Sequence, residues 1–259
     1  MGVFGLGLIG GSILKSLFAL NKYFLVGVSK SSYQKASSFA DVATDDINEL
    51  KGCDIVFVCS KMSDTPKILS KLEDILGPKT IVADVCSIKG FLNKEYKFNF
   101  IPSHPMAGTE FKGFENSFDS LFKGAKWITG KKCELLENVI KELGAAPVLL
   151  EASFHDKYAA EISHLPMLIS LALFASADDE ALKIASSGFR DTTRLSMTNP
   201  DLAYDMLNLN RKNILFAYEK FIKEFEKIKN MDEDEFKNYA LNIAQKRTKM
   251  YDENGKNIF

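Results

Sequence analysis

Val3-Phe4-Gly5-Leu6-Gly7-Leu8-Ile9-Gly10-Gly11-Ser12 is the stretch on which the reading of this chain turns. A short apolar run gives way to glycines at 5, 7 and 10, the G-x-G-x-x-G pattern of a strand that turns into a helix and seats a dinucleotide pyrophosphate. Gly5 permits the tight turn, Gly7 lets the backbone approach the phosphates, and Gly10 lets helix and strand pack closely. The N–H groups of the helix start, around Leu8 and Ile9, then face the anion with a partial positive charge behind them. By itself such a pattern also fits a glycine-rich turn of no consequence. Here Ile13, Leu14, Leu17, Phe18 and Leu20 continue at helical spacing and a second apolar run, Phe24–Val28, follows at the right distance.

Working outward, apolar runs at 2–5, 24–28, 54–59, 80–85, 98–102, 126–129 and 147–150 alternate with helical patterns at 10–20, 32–40, 65–76 and 134–143. Short, nearly continuous apolar strands separated by helices predict an α/β domain with a parallel sheet covered on both faces. Ligands of such sheets collect beyond the carboxyl ends of the strands. That rule directs attention to Cys59-Ser60, to Cys86–Lys89 and to Ser103-His104. After Glu151 the strand signal ends. Ser153-Phe-His-Asp156 has the spacing of a capping box, Tyr158, Ile162, Leu165, Ile169 and Leu173 follow a helical period, and Pro166 predicts a kink. Further helices are expected at 178–186, 200–229 and 232–250. The expected organisation is therefore a Rossmann-type domain over residues 1–151 and an all-helical domain over 152–259.

Bulk properties narrow the function classes. With 33 basic and 34 acidic residues the net charge is −1, which excludes a broad basic field for nucleic acid. Cys53, Cys59, Cys86 and Cys133 show neither C-x-x-C spacing nor disulfide density and read as reduced thiols. The first apolar stretch lacks a charged leader and a cleavage pattern, Lys15 interrupts it, and Leu6 breaks a myristoylation pattern after Gly2. Elsewhere nothing approaches the ~18 uninterrupted apolar residues of a membrane span. A soluble, cytoplasmic chain with no metal site, no nucleic-acid partner and no separately folding appendage is expected.

The second strand ends Gly27-Val28-Ser29-Lys30-Ser31-Ser32, without the acid that binds the ribose hydroxyls of NAD. Small hydroxyls and a lysine suit a 2′-phosphate, so Ser29, Lys30 and Ser31 favour NADP over NAD. Lys30 as an ordinary turn lysine, with either cofactor accepted, is the alternative.

Three further strings, Asp84-Val-Cys-Ser87-Ile-Lys89-Gly90, Ser103-His104-Pro-Met-Ala-Gly108-Thr-Glu110 and Gly188-Phe-Arg190-Asp191-Thr-Thr-Arg194, make the chain resemble the prephenate/arogenate dehydrogenases of tyrosine biosynthesis. His155-Asp156 and Ser163-His164-Leu-Pro166 join them. The resemblance covers nearly the whole chain and implies a dinucleotide domain followed by a helical, dimerising domain. It also implies oxidative decarboxylation of a cyclohexadienol, with hydride passing to NAD or NADP while the ring carboxylate leaves as CO2. Aromatisation drives that reaction, so the protein has to position the ring and manage charge.

On this reading His104 takes or shares the hydroxyl proton, and Ser87 lies beside it to orient the imidazole or the substrate hydroxyl, or caps a turn. Arg194 grips a substrate carboxylate. Asp191, three residues earlier, orients Arg194 or forms a structural pair. Glu110 acts at the site entrance and His164 contacts substrate. Met167 stands where the family carries a second histidine, which leaves prephenate and arogenate both open. The roles of Lys89 and Arg190 stay open, and His155 and Asp156 are expected to make a structural hydrogen bond. A hydroxyacid dehydrogenase using Lys157, or a non-catalytic NAD(P)-binding module, would leave the His104 string without a role.

Overall fold

The computed structural model describes residues 1–92, 94–109 and 111–251. Six parallel strands form the central sheet: β1 (Gly2–Phe4), β2 (Val26–Val28), β3 (Val42–Thr44), β4 (Ile55–Val58), β5 (Ile81–Asp84) and β6 (Asn99–Ile101), in the order β3-β2-β1-β4-β5-β6. Helix α1 (Leu8–Leu20) leads from β1 to β2, the short α2 (Tyr33–Ala36) from β2 to β3, and α3 (Thr65–Leu72) from β4 to β5.

Burial on both faces explains the apolar strand sequences. In β4, Ile55 and Phe57 enter a core shared with α1, while Val56 and Val58 enter a second core shared with α3. All four are within 1% of complete burial, each contributing about 1.5–3 kcal/mol of transfer free energy. The reversal of strand order between β1 and β4 opens the crevice in which such sheets bind ligands.

A smaller sheet departs from the purely parallel expectation. Strands β7 (Ser103–Pro105), β8 (Lys126–Thr129) and β9 (Ala146–Leu149) lie in that order, with β7 antiparallel to β8 and β8 parallel to β9. Ser-His-Pro carries no strand pattern of its own. Ladder bonds to β8 and the fully buried Trp127, whose indole N–H donates to Ser103 Oγ at 3.1 Å, hold it extended. Helix α4 (Glu134–Glu142) covers this sheet through Leu136, Val139 and Ile140.

Beyond β9 every element among the described residues is helical: α5 (Ala152–Ala159), a π-helical turn (Ala160–His164), α6 (Leu165–Ala175), α7 (Asp179–Leu182), α8 (Ser187–Thr192), a 3₁₀ turn (Arg194–Met197), α9 (Pro200–Leu209), α10 (Arg211–Lys229) and α11 (Glu233–Met250). The capping box expected at Ser153–Asp156 does not form. Glu151 is the N-cap of α5 and makes no side-chain cap bond, because the Asp156 carboxylate is engaged elsewhere. Pro166 acts as anticipated on the helix axis but through a wider turn. Lacking an N–H and crowding the carbonyl four residues back, it leaves a π turn immediately before α6. The stretch Ala152–Ala175 is long and apolar enough to cross a membrane by length and composition, yet it buries His155, Asp156 and His164 in polar contacts.

By packing, the chain divides into two units, Met1–Arg211 and the remainder from Lys212. Within the second, α10 and α11 form a helical hairpin in which Tyr239 donates to Glu224 Oε1 at 2.9 Å, and Asp232 with Glu235 forms a capping box at the start of α11.

Candidate active site

The glycine turn has the shape a diphosphate needs. Gly5 has φ +88°, a left-handed conformation, and a Cβ there would lie 2.6 Å from the Cys59 carbonyl oxygen. A Cβ on Gly10 would lie 2.0 Å from the Gly5 carbonyl oxygen, whereas one on Gly7 would meet nothing within 4 Å. Crowding at 5 and 10 with open space at 7 is the cradle that a substituent at Gly7 would fill. Gly7 caps α1 without a side-chain bond and no acid occupies the first turn. The first N–H groups of α1, on Leu8, Ile9 and Gly10, therefore have no helical acceptor.

Cys59 backs this turn, its N–H donating to Phe4 O at 2.7 Å, and the Ser60 and Thr65 hydroxyls lie 2.9 Å apart. At the end of β2, Ser29 Oγ accepts from Ser32 N at 3.3 Å, and Lys30 and Ser31 are exposed. These residues can hold a dinucleotide along the carboxyl ends of β1, β2 and β4.

A second feature is a hydrogen-bonded chain whose members are far apart in sequence. His104 Nδ1 is 3.0 Å from His155 Nε2, and His155 Nδ1 is 2.9 Å from Asp156 Oδ1. Asp156 accepts further from the Lys89 N–H at Oδ1 and the Gly90 N–H at Oδ2, both at 2.7 Å. A Cβ on Gly90 would come within 3.0 Å of that carboxylate, so the small residue allows the approach. A carboxylate only accepts, so His155 carries its proton on Nδ1 and offers a lone pair at Nε2. His104 must then donate from Nδ1, which leaves a basic lone pair on its Nε2. Burial first, then the positive charge of Lys89 and the neighbouring His155 and His164, hold the His104 pKa well below the usual histidine range. The arrangement is a neutral imidazole with an oriented base.

The expected partner for His104 was Ser87, and here the geometry differs. Ser87 Oγ donates to Met62 Sδ at 3.3 Å, and the imidazole is oriented by His155 instead. Asp191 likewise pairs with Arg190, Nε to Oδ1 at 2.9 Å, not with Arg194. Helix α8 ends at Thr192 and a 3₁₀ turn starts at Arg194, so the helical i,i+3 relation is broken. Arg194 is exposed and makes no ion pair among the described residues. Glu110 lies outside the described residues.

His164, fully buried at the end of the π turn, accepts at Nδ1 from Asn210 Nδ2 at 3.1 Å, and the same amide nitrogen donates to Asp156 O at 2.7 Å. The His164 proton therefore sits on Nε2, which has no hydrogen-bond partner among the described residues. An unmet buried donor costs about 1–3 kcal/mol, and it marks a position that a ligand oxygen would satisfy. Burial pushes the His164 pKa down to about 4.

A base whose pKa is lowered by folding carries no penalty above about pH 6.5, where it is neutral in both states, and destabilises the fold increasingly as pH falls toward 4. The loss amounts to about 3 kcal/mol. Urea unfolding at pH 7 and pH 4.5 is expected to show a smaller pH-dependent loss in His164→Leu than in the unsubstituted chain. Equal losses would remove His164 as a source of acid sensitivity.

Residues 19–148 match the family model for the nucleotide-binding domain of prephenate dehydrogenase, and residues 151–243 match that for its dimerization domain. The chain belongs to the prephenate dehydrogenase family. It is thus an NAD-dependent oxidoreductase with a Rossmann-type domain and a helical domain. Arogenate dehydrogenase from Synechocystis superposes with a TM-score of 0.83 at 30% identity, over 95% of this chain and 98% of that one. Prephenate dehydrogenase from A. aeolicus, in complex with hydroxyphenyl propionate and NAD+, gives 0.83 at 27% identity, over 95% and 96%. A prephenate dehydrogenase of Bacillus subtilis (strain 168) is 28% identical over 263 residues, spanning 89% of this chain and 69% of that protein.

His155 and Asp156 carry more of this family member's site than the sequence reading assigned them. The usable signal was the pair itself: a carboxylate next to a histidine is costly to bury unless both are bonded.

Proposed function

We propose that the chain oxidises and decarboxylates prephenate to 4-hydroxyphenylpyruvate, a step of tyrosine biosynthesis, with NADP preferred over NAD. The observation that carries the reading is the Asp156–His155–His104 chain, which ends in a basic Nε2 on His104. A bound nicotinamide supplies the hydride acceptor. His104 Nε2 takes the proton of the ring hydroxyl as the adjacent C–H bond is lost as hydride, and returns it to the phenolic oxygen once CO2 has left. No net proton is released. His164 Nε2–H donates to a substrate oxygen, Arg194 binds a carboxylate from its exposed position, and Glu110 acts at the entrance. Residues 1–151 serve the cofactor, with Ser29, Lys30 and Ser31 at the 2′-phosphate, and residues 152–259 serve substrate binding and a homodimer in the cytoplasm.

Arogenate is the second reading. Met167 is buried and its thioether cannot donate to a carboxylate, which removes one polar contact to the side chain that distinguishes the two substrates.

Absorbance at the reduced-nicotinamide band, with prephenate and arogenate each paired with NADP and NAD, tests these readings together. Fast reduction with prephenate and NADP is expected. Reduction only with arogenate transfers the assignment to the second reading, and an NAD preference removes Lys30 from the cofactor argument. Silence in all four pairings from folded, cofactor-binding protein overturns the substrate class. In the same assay Arg194→Gln is expected to raise the substrate KM about 10- to 100-fold, the loss of a charge-assisted contact, with the cofactor KM unchanged. A change confined to the cofactor KM would place Arg194 elsewhere.

A further inference from the structure

Lys89 is buried, 3% exposed, and touches both ends of the histidine chain. Its ammonium contacts Asp84 Oδ2 and donates to Ser103 O at 2.5 Å, the carbonyl immediately before His104. Its backbone N–H donates at 2.7 Å to Asp156 Oδ1, the same oxygen that receives His155 Nδ1–H. Asp84 closes the figure from the end of β5, Oδ1 accepting from Ser103 N and Oδ2 from Cys86 N, both at 2.9 Å. Ser103 Oγ returns a bond to Asp84 O at 2.5 Å.

We infer that Lys89, anchored by Asp84, is a positioning residue for the oxidation: its ammonium clamps the carbonyl before His104 at one end of the chain and thereby holds its own backbone N–H on the Asp156 carboxylate at the other, so that the base keeps one place and one tautomer. The inference rests on the function proposed above. A solvated lysine would need none of these contacts. A burial of this kind is costly unless the charge is paired and its remaining protons are bonded, and both oxygen acceptors here belong to groups that position His104.

The charged and titratable groups around His104 among the described residues are Lys89, Asp84, His155, Asp156 and His164. Lys89 is the cation among them. Removing it eases protonation of His104, so the neutral, basic form is lost at a higher pH and the acid limb of kcat moves upward.

Lys89→Met tests the clamp, together with Asp84→Asn/Lys89→Met, which leaves no unpaired buried charge and so protects folding. In whichever variant folds, kcat is expected to fall about 10²-fold, the cost of a small misplacement, with cofactor affinity by fluorescence titration unchanged. The acid limb rises in Lys89→Met and moves less in the double variant, which removes the Asp84 charge along with the cation. Nitrogen-15 imidazole spectra of the ligand-free protein read the tautomer directly, and with only three histidines in the chain the signals are separable. Loss of the His104 Nδ1–H state in the variants supports the clamp. An unchanged tautomer, or a folded variant with unaltered kcat and acid limb, overturns it. The spectra decide the clamp even if the unsubstituted chain oxidises neither cyclohexadienol, an outcome that would overturn only the proposed function.

Discussion

His104→Asn is expected to lower turnover by about 10²–10⁴-fold, the range for a lost general base, while dinucleotide affinity stays unchanged. The asparagine amide retains a hydrogen-bonding group near His155 but has no basic nitrogen to receive a hydroxyl proton. In the unsubstituted chain, His104 is held neutral by burial first and by Lys89, His155 and His164 after that. A base with a depressed pKa remains unprotonated as pH falls through the usual histidine value. Its acid limb in kcat/KM therefore lies below about pH 6.5. Stopped-flow or steady-state rates across pH 4.5–8, with cofactor binding measured separately, check both points. Turnover near normal in the variant, or an acid limb above the ordinary histidine range, would assign the proton transfer to another group.

The second large effect is expected for Asp156→Asn, on stability and turnover together. The carboxylate accepts three hydrogen bonds, from His155 Nδ1 and from the N–H groups of Lys89 and Gly90. An amide keeps one accepting oxygen and turns an NH2 toward a donor, so at least one buried N–H loses its partner. Leaving a buried donor unmet in this way costs about 1–3 kcal/mol for each such group. In the fraction that folds, His155 is no longer obliged to hold its proton on Nδ1, and the tautomer of His104 is released with it. Losing the carboxylate behind a catalytic histidine can lower turnover by as much as ~10⁴-fold through the wrong tautomer alone. The urea midpoint and kcat, measured on the same preparation, separate the two effects. A stable variant with unaltered kcat would show that the chain from Asp156 to His104 is structural.

The glycine turn could be read from ten consecutive residues because its requirements are local. A positive φ at Gly5 and the absence of a Cβ at Gly10 are properties of the backbone itself, and β4 and β5 announce themselves through near-continuous apolar residues buried on both faces. Strand β3 is harder to see, since Val42-Ala43-Thr44 is three residues long and only partly buried at the sheet edge. The strand character of Ser103-His104-Pro105 comes entirely from its neighbour β8, and the break between α9 and α10 at Asn210 falls where that side chain bonds to Asp156 and His164.

From its sequence alone, then, the chain discloses a parallel α/β domain with a dinucleotide turn, a helical half, and His104, His164 and Arg194 as the residues to examine. The tertiary structure decided what those residues meet. His104 was matched to Ser87, seventeen positions away, and is held by His155 from a helix fifty-one positions later; Asp191 was matched to Arg194 and pairs with its own neighbour. Periodicity and motifs report on backbone needs within a few turns of chain. The protonation state of a buried imidazole depends on which donors and acceptors the folded chain brings within 3 Å of it, and that is settled only when β5, β7 and α5 pack together.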